Sequence, residues 1–134
     1  MKYVYPAIFS TEDGKTLVSV PDLPGLHTFG NSLADALYMA QDAIEMWLCD
    51  AENNYESIPP ASSQKKISKM CKSPDQTVSL VAADTDEYRR QNDTRAVKKT
   101  LSIPAWLNHK AQMANAPFSQ ILQQGLKEYL RIAQ

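Results

Sequence analysis

The sequence has few of the residues that would form a disulfide or cross a lipid bilayer. Its two cysteines, Cys49 and Cys71, are far apart and form no CxxC motif, so a fold that depends on disulfides is not expected. No apolar run approaches the length of a membrane span, and the N-terminus lacks the apolar core of a signal peptide. These absences favour a soluble cytoplasmic protein with no membrane partner.

Catalytic and cofactor motifs are also missing. The sequence has no glycine-rich phosphate loop and no Ser-His-Asp order with supporting context. His27 has no acid or cysteine at a ligand spacing, and His109 has no metal-binding residue three or four positions away. Packing or surface roles are therefore favoured for both histidines, and we expect no enzyme activity, no catalytic residue, no metal site and no cofactor.

The net charge of −1 hides a division along the 134 residues. Residues 95–134 carry six Lys or Arg and one acid, whereas residues 1–94 carry eight bases and fourteen acids. A basic C-terminal part favours nucleic acid as its partner, and an acidic N-terminal part favours a basic protein. Solvation of two ordinary surfaces can also produce such a split.

The stretch from Ala96 to Asn108 predicts a short strand followed by a helix. One face of the strand is mostly apolar, and the other is polar with Lys98, Thr100 and Ser102. Pro104 suits the first turn of a helix, which is predicted to run to about Asn115. After a turn at residues 115–117, a second helix is predicted from its broad apolar stripe (Ile121, Leu122, Gly125, Leu126, Tyr129 and Leu130).

These C-terminal elements are too small to fold alone. About 38 residues bury little core, and a single strand leaves both backbone edges unpaired. A second copy would supply the missing strand and make a two-stranded antiparallel ribbon, a shape that fits the DNA major groove. The alternative is an ordinary amphipathic strand in a mixed sheet, since Lys99 interrupts the apolar face.

The C-terminal segment resembles the ribbon-helix-helix DNA-binding family over its whole length. The resemblance implies a homodimer whose outward strand residues Lys98, Thr100 and Ser102 contact bases of operator DNA. It also implies that the backbone amides of Phe118 and Ser119, at the start of the second helix, hold a phosphate. The family usually opens this helix with Ser or Thr, whereas Pro117 and Phe118 stand near that place here, which predicts a weaker or shifted phosphate contact.

The N-terminal part predicts three strands, a long helix and a fourth strand. The strands are expected over residues 3–9, 16–20, 26–29 and 77–82, with Asp13-Gly14 as a hairpin turn. Ser32 and Asp35 form a capping box before the helix, which fades near residues 52–54. Residues 65–73 are predicted to be a loop, and 84–90 a capped helical turn. A hinge at 91–94 separates domains 1–90 and 95–134.

This β-β-β-α-β order and the passage Val-Pro-Asp-Leu-Pro-Gly resemble the HicB antitoxin family over about Met1 to Pro60. The resemblance implies an α+β fold: a partial ribonuclease-H-like domain followed by the ribbon-helix-helix (β-α-α) dimerisation module. It also implies the antitoxin of a type II toxin–antitoxin system, in which the first domain inhibits HicA, a small basic ribonuclease that cleaves mRNA. The second domain would repress the shared operon, and its dimers could join into a higher oligomer.

The sequence also suggests two other functions. One is a free-standing ribbon-helix-helix transcriptional repressor whose N-terminal domain senses a ligand. The other is a nuclease, which is disfavoured because residues 3–9 contain no acid and Asp13, Asp22 and Asp35 have other predicted places. Trp47 and Trp106 lie on apolar helical faces and are predicted to pack in cores.

Overall fold

A four-stranded antiparallel sheet organises the first of two units, Met1–Arg95, in the computed structural model, which describes residues 1–132. The sheet has the order β3-β2-β1-β4. Its strands are β1 (Lys2–Glu12), β2 (Lys15–Ser19), β3 (His27–Gly30) and β4 (Thr77–Asp84). The mixed α+β class predicted from the sequence is confirmed.

The turn between β1 and β2 is the one that its sequence predicts. Asp13 and Gly14 both have positive φ, at 51° and 77°, and Glu12 pairs with Lys15. Two residues with positive φ match the right-handed twist of the flanking strands, which is why Asp-Gly is favoured here. The turn fixes the register in which Phe9 faces Val18, both of them buried.

Helix α1 (Leu33–Asn53) packs on one face of the sheet. Its buried stripe follows a spacing of three or four residues and meets the inward side chains of the strands. The predicted apolar stripe was wrong at its N-terminal end, because Leu33 and Leu37 lie outside the buried stripe and are 59% and 37% exposed. The buried helical residues are Ala36, Ala40, Ile44, Leu48, Cys49 and Ala51.

The start of α1 shows the predicted capping with one difference. Ser32 Oγ accepts a hydrogen bond from the Asp35 amide at 3.1 Å, as expected for an N-cap. The Asp35 carboxylate accepts from the amide of Asn31 at 2.9 Å, one residue before the predicted position. The box therefore also fixes the chain that leaves β3.

Helix α2 (Gln64–Ser68) corrects the prediction of a loop over residues 65–73. Ser63 caps it by accepting from the Lys66 amide at 3.1 Å, and Ile67 is 1% exposed. A single capped turn with one buried side chain is too short to show the periodic apolar pattern by which a helix is recognised in a sequence. α2 contacts β1 and β4. Successive side chains of a strand point to opposite faces, so Pro6 points away from the face that packs on α1. Pro6 is nevertheless fully buried, which indicates that α2 covers the second face of the sheet.

Helix α3 (Thr85–Asn92) begins where a capped turn was predicted. The Asp84 side chain accepts from the amides of Asp86 and Glu87, and α3 packs against α1. Residues 93–104 then form neither helix nor strand in the single chain. The predicted ribbon strand needs hydrogen bonds from a second chain, so it stays a prediction.

The second unit begins at Ala96 and contains α4 (Ala105–Met113) and α5 (Phe118–Leu130), close to the predicted bounds. Among residues 96–132 no side chain is buried. Trp106 is 65% exposed, so the core packing predicted for it is not met within one chain. Within residues 1–132, no helix combines the length and the apolar character needed to cross a membrane.

Candidate interaction surfaces

A groove runs between the start of β3 and the outer side of α1. Its volume is about 560 Å³, and it is open to solvent along its length. Apolar side chains form most of its wall, with an aspartate on the rim near the middle of α1 and another near its end. The lining residues are Gly25, Leu26, His27, Thr28, Met39, Asp42, Ala43, Met46, Trp47 and Asp50.

One stripe of α1 supplies the polar and apolar groups of this groove. Met39, Asp42, Met46 and Asp50 are separated by three, four and four residues, so they lie along one side of the helix. Met39 and Met46 are 41% and 54% exposed, although methionine side chains are commonly buried. Flexible, exposed methionines beside fixed carboxylates are typical of a protein-binding surface.

The charge of α1 is one-sided. Residues 33–53 include five acids and no base. Three of the acids have structural partners: Asp35 caps the helix, Glu45 accepts from the Asp84 amide at 2.7 Å, and Glu52 pairs with Arg89 at 2.8 Å. Asp42 and Asp50 line the groove, and Asp50 Oδ1 also accepts from the Asn54 side-chain amide at 3.3 Å. No cation is paired with either carboxylate within residues 1–132.

Trp47 forms the floor at one end of this groove. It packs against the core cluster, as the sequence predicted, and its indole Nε1 donates to the carbonyl of Pro24 at 3.3 Å. This bond joins α1 to the Pro-Asp-Leu-Pro-Gly connection. The exposed His27 also lines the groove.

The chemistry of the groove favours binding. No group of three or more His, Cys, Asp or Glu residues within 1–132 is arranged to hold a metal ion. The acids that a nuclease would need are used elsewhere: Asp22 accepts from the amide and hydroxyl of Ser62 at 2.8 and 2.6 Å, and Asp35 caps α1. An apolar groove with two carboxylates that no cation of the described residues neutralises suits a basic protein.

A second polar cluster lies at the C-terminal end of α1. Glu52 accepts from the hydroxyls of Tyr3 and Thr85 and from the guanidinium of Arg89. Burial acts to raise the pKa of Glu52, but these three hydrogen bonds outweigh it and hold the pKa below its usual value. The bond to Glu52 raises the pKa of Tyr3 to about 12. This cluster holds α3 against α1.

The predicted DNA-contacting residues all lie on the surface of the second unit. Lys98, Thr100 and Ser102 are exposed on the extended segment, and Phe118 and Ser119 open α5. Lys98 and Ser119 line one groove of about 680 Å³, whereas Thr100, Ser102 and Phe118 lie outside it. Ile121 makes the first internal bond of α5, to the Pro117 carbonyl, so the amides of Phe118 and Ser119 are not used by the helix.

The first unit has a mixed α+β fold, and comparison with known proteins shows the family of the chain. The sequence model for the "HicB_like antitoxin of bacterial toxin-antitoxin system" matches residues 5–124. The chain therefore belongs to the family of HicB-like antitoxins, proteins that are generally not enzymes. It is also 25% identical over 107 residues to a 14.9 kDa protein of Haemophilus phage HP1, covering 80% of this chain and 77% of the phage protein.

Solved structures show the same fold. A toxin–antitoxin complex from Streptococcus pneumoniae is similar with a TM-score of 0.59 and 23% identity, covering 96% of this chain and 99% of that one. The antitoxin HicB of Burkholderia pseudomallei has a TM-score of 0.55 and 23% identity, with 98% of each chain covered. A complex of HicA3 and HicB3 has a TM-score of 0.53 and 20% identity over 61% of this chain and 99% of that one.

Proposed function

We propose that this chain is the antitoxin of a type II toxin–antitoxin system, which binds and inhibits a HicA-like mRNA-cleaving toxin in the cytoplasm. The observation that carries the proposal is the groove on α1, where Asp42 and Asp50 stand without a cation beside exposed methionines. Two structures with this fold are toxin–antitoxin complexes, one of them of HicA3 with HicB3, which supports a toxin as the partner.

Inhibition by this surface needs no catalysis. A ribonuclease of this kind presents basic side chains to RNA phosphates, and the same side chains are attracted to carboxylates on a protein. Asp42 and Asp50 would take the place of phosphates, while Met39, Met46 and Trp47 would exclude water from the contact. The bound antitoxin would then block the approach of RNA.

Cleavage of a labelled RNA by the HicA-like toxin, titrated with this chain, tests the proposal. D42N/D50N removes both groove carboxylates with almost no change in shape. The matched control is E56Q/D75N, which removes two exposed acids outside the groove. We expect D42N/D50N to raise the half-inhibitory concentration at least about tenfold, or roughly 1.4 kcal/mol, and the control to match wild type. Equal inhibition by all three proteins would contradict this assignment of the surface.

The second unit is proposed to be a ribbon-helix-helix module that represses the antitoxin's own operon. Val97, Leu101 and Ile103 are 77%, 63% and 47% exposed, and antiparallel pairing of two copies would cover this apolar face. Lys98, Thr100 and Ser102 would then contact operator bases, and the amides of Phe118 and Ser119 a phosphate. The homodimers could join into a higher oligomer on DNA.

The alternative is a free-standing repressor whose first unit senses a ligand. The volume of the α1 groove, about 560 Å³, lies within the range of small-molecule sites. In that case a small ligand would occupy the groove, shield its residues from solvent and alter the affinity of the chain for DNA in the absence of any toxin. The RNA cleavage assay separates the two functions, because a free-standing repressor would leave the toxin active.

A further inference from the structure

The first unit carries a cluster of lysines that the proposed toxin surface does not use. Lys65, Lys66, Lys69 and Lys72 lie within eight residues, on α2 and the turn after it, and all four are exposed. Residues 57–74 contain no acid, so this stretch has four positive charges in a unit that is otherwise acidic. We call these four residues the lysine patch.

The patch is both unpaired and firmly held. Within residues 1–132, none of its ammonium groups takes part in an ion pair. Its backbone is fixed because Ile67 is 1% exposed beneath α2 and the Gln64 side chain donates to the Val78 carbonyl at 3.1 Å. Unpaired lysines on a fixed turn of helix form a surface that attracts polyanions.

The connection to the second unit is short. α3 ends at Asn92 and the predicted ribbon begins at Val97, so five Cα steps, or at most about 17 Å of chain, separate them. When the ribbon of the second unit lies in a DNA groove, the first unit is therefore held beside the phosphate backbone. Tethering of this kind raises the local concentration of its surface at the DNA.

Most of the first unit would be repelled there. Residues 1–95 have nine bases and fourteen acids, and five of the acids lie on α1, which has no base. Of the nine bases, Arg89, Arg90 and Arg95 are paired with acids. The lysine patch is thus the one dense group of unpaired cations on the described part of this unit, and it is the face that DNA would attract.

We propose that the lysine patch contacts the phosphates of the DNA that flanks the site bound by the second unit. This inference rests on the proposed DNA binding by the ribbon-helix-helix module. It gives the first unit two separate surfaces, an acidic groove for the toxin and a basic patch for DNA. Contacts of this kind add affinity and salt dependence without adding base specificity.

The test measures binding of the full-length chain to a duplex of mixed sequence, about four helical turns long, between about 50 and 200 mM salt. K65Q/K66Q removes two charges from the patch. K2Q/K15Q removes two from exposed lysines elsewhere on the unit, and K65R/K66R keeps the charge. Log affinity falls as log salt rises, and each lost phosphate contact reduces the magnitude of this slope by about 0.9. We expect K65Q/K66Q to lower it by about 2 or more per dimer, and the other two variants by less than about 1.

Four results would overturn the inference. The slope of K65Q/K66Q could equal that of wild type, or K2Q/K15Q could lose as much, which would show an effect of net charge alone. A patch-dependent slope on single-stranded RNA but not on the duplex would assign the patch to RNA. The wild-type chain could bind this duplex, and bind the DNA upstream of its own gene more tightly, while K65Q/K66Q binds both as wild type does. The proposed repressor would then be supported, and only the inference about the lysine patch would be overturned. Failure of wild type to bind any duplex overturns both.

Discussion

Arg89 Nη1 donates to Glu52 Oε1 at 2.8 Å and so joins α3 to the end of α1. The same carboxylate accepts from the Tyr3 hydroxyl of β1 at 2.7 Å. One side chain therefore ties together the first strand, the long helix and the last helix of the first unit. Because α3 leads directly to the second unit, this cluster fixes the point from which the connection starts.

Removal of Arg89 should loosen α3. Arg89→Ala leaves Glu52 without its charged partner in a half-buried site, which we expect to lower the free energy of unfolding by about 1–3 kcal/mol. Arg90→Ala is the matched control, because Arg90 pairs with Glu87 in an exposed i,i+3 pair worth less than about 0.5 kcal/mol. Urea unfolding of the two variants measures the difference. Equal losses would show that the Arg89–Glu52 pair does not hold α3.

Glu52 also makes stability depend on pH. A free glutamate titrates near about pH 4.3, and the folded-state pKa of Glu52 lies below that value. The stabilisation is therefore complete above the unfolded-state pKa and is lost as pH falls through the folded-state pKa. Urea unfolding over this acid range should show a flatter pH dependence for Glu52→Gln than for wild type. An identical pH dependence would mean that Glu52 contributes no acid-sensitive stability.

Gly30 allows β3 to approach α1 closely. A Cβ built on Gly30 would lie 2.3 Å from the Ala36 backbone nitrogen, so Gly30→Ala forces strand and helix apart. We expect a loss of about 1–3 kcal/mol, the range for overpacked cores. Asn31→Ala, at the exposed next position, should change stability by less than about 0.5 kcal/mol, since only the backbone of Asn31 makes the capping bond. A Gly30→Ala protein as stable as wild type would contradict this close approach.

The ribbon assignment predicts a separation of the two activities. Lys98→Ala with Thr100→Ala should abolish operator binding, because it removes two of the three proposed base-contacting side chains of each strand. Inhibition of the toxin by the same variant should equal that of wild type. An electrophoretic mobility shift assay with the DNA upstream of the gene for this chain measures the operator affinity. Unchanged DNA affinity would remove the ribbon assignment.

The first unit is expected to act without the second. A fragment ending at Arg95 keeps the whole sheet, the α1 groove and the Glu52 cluster. It should fold as a monomer and inhibit RNA cleavage by the toxin. The fragment lacks the increase in apparent affinity that two linked copies would give the dimer. Circular dichroism first establishes that the fragment is folded. A folded fragment that fails to inhibit the toxin would show that the dimer is required.

Much of the first unit could be predicted because its signals are local. The Asp13-Gly14 turn, the Ser32 cap and the helix behind it each depend on a few neighbouring residues. α2 was missed because one helical turn has no measurable period. The helical spacing places Leu33 and Leu37 on the apolar stripe, but spacing alone does not show which edge of the stripe the sheet covers.

The candidate toxin surface was harder to predict than the fold. The absence of any base over residues 33–53 was visible in the sequence, but it did not show which acids are free. Glu45 and Asp42 are both carboxylates of α1, yet only the fold reveals that Glu45 accepts from the Asp84 amide while Asp42 lines the groove. The ribbon residues stay predictions because the strand that would prove them belongs to a second copy.

The antitoxin function is tested most directly by measuring the mass of any protein that co-purifies with the native chain from its host. An antitoxin should bring down a small basic protein in stoichiometric amount, which cleaves RNA once separated and is inhibited when the chain is added back. Recovery of the chain alone, as a dimer that binds DNA but silences no ribonuclease, would contradict the antitoxin function and favour the ligand-sensing repressor.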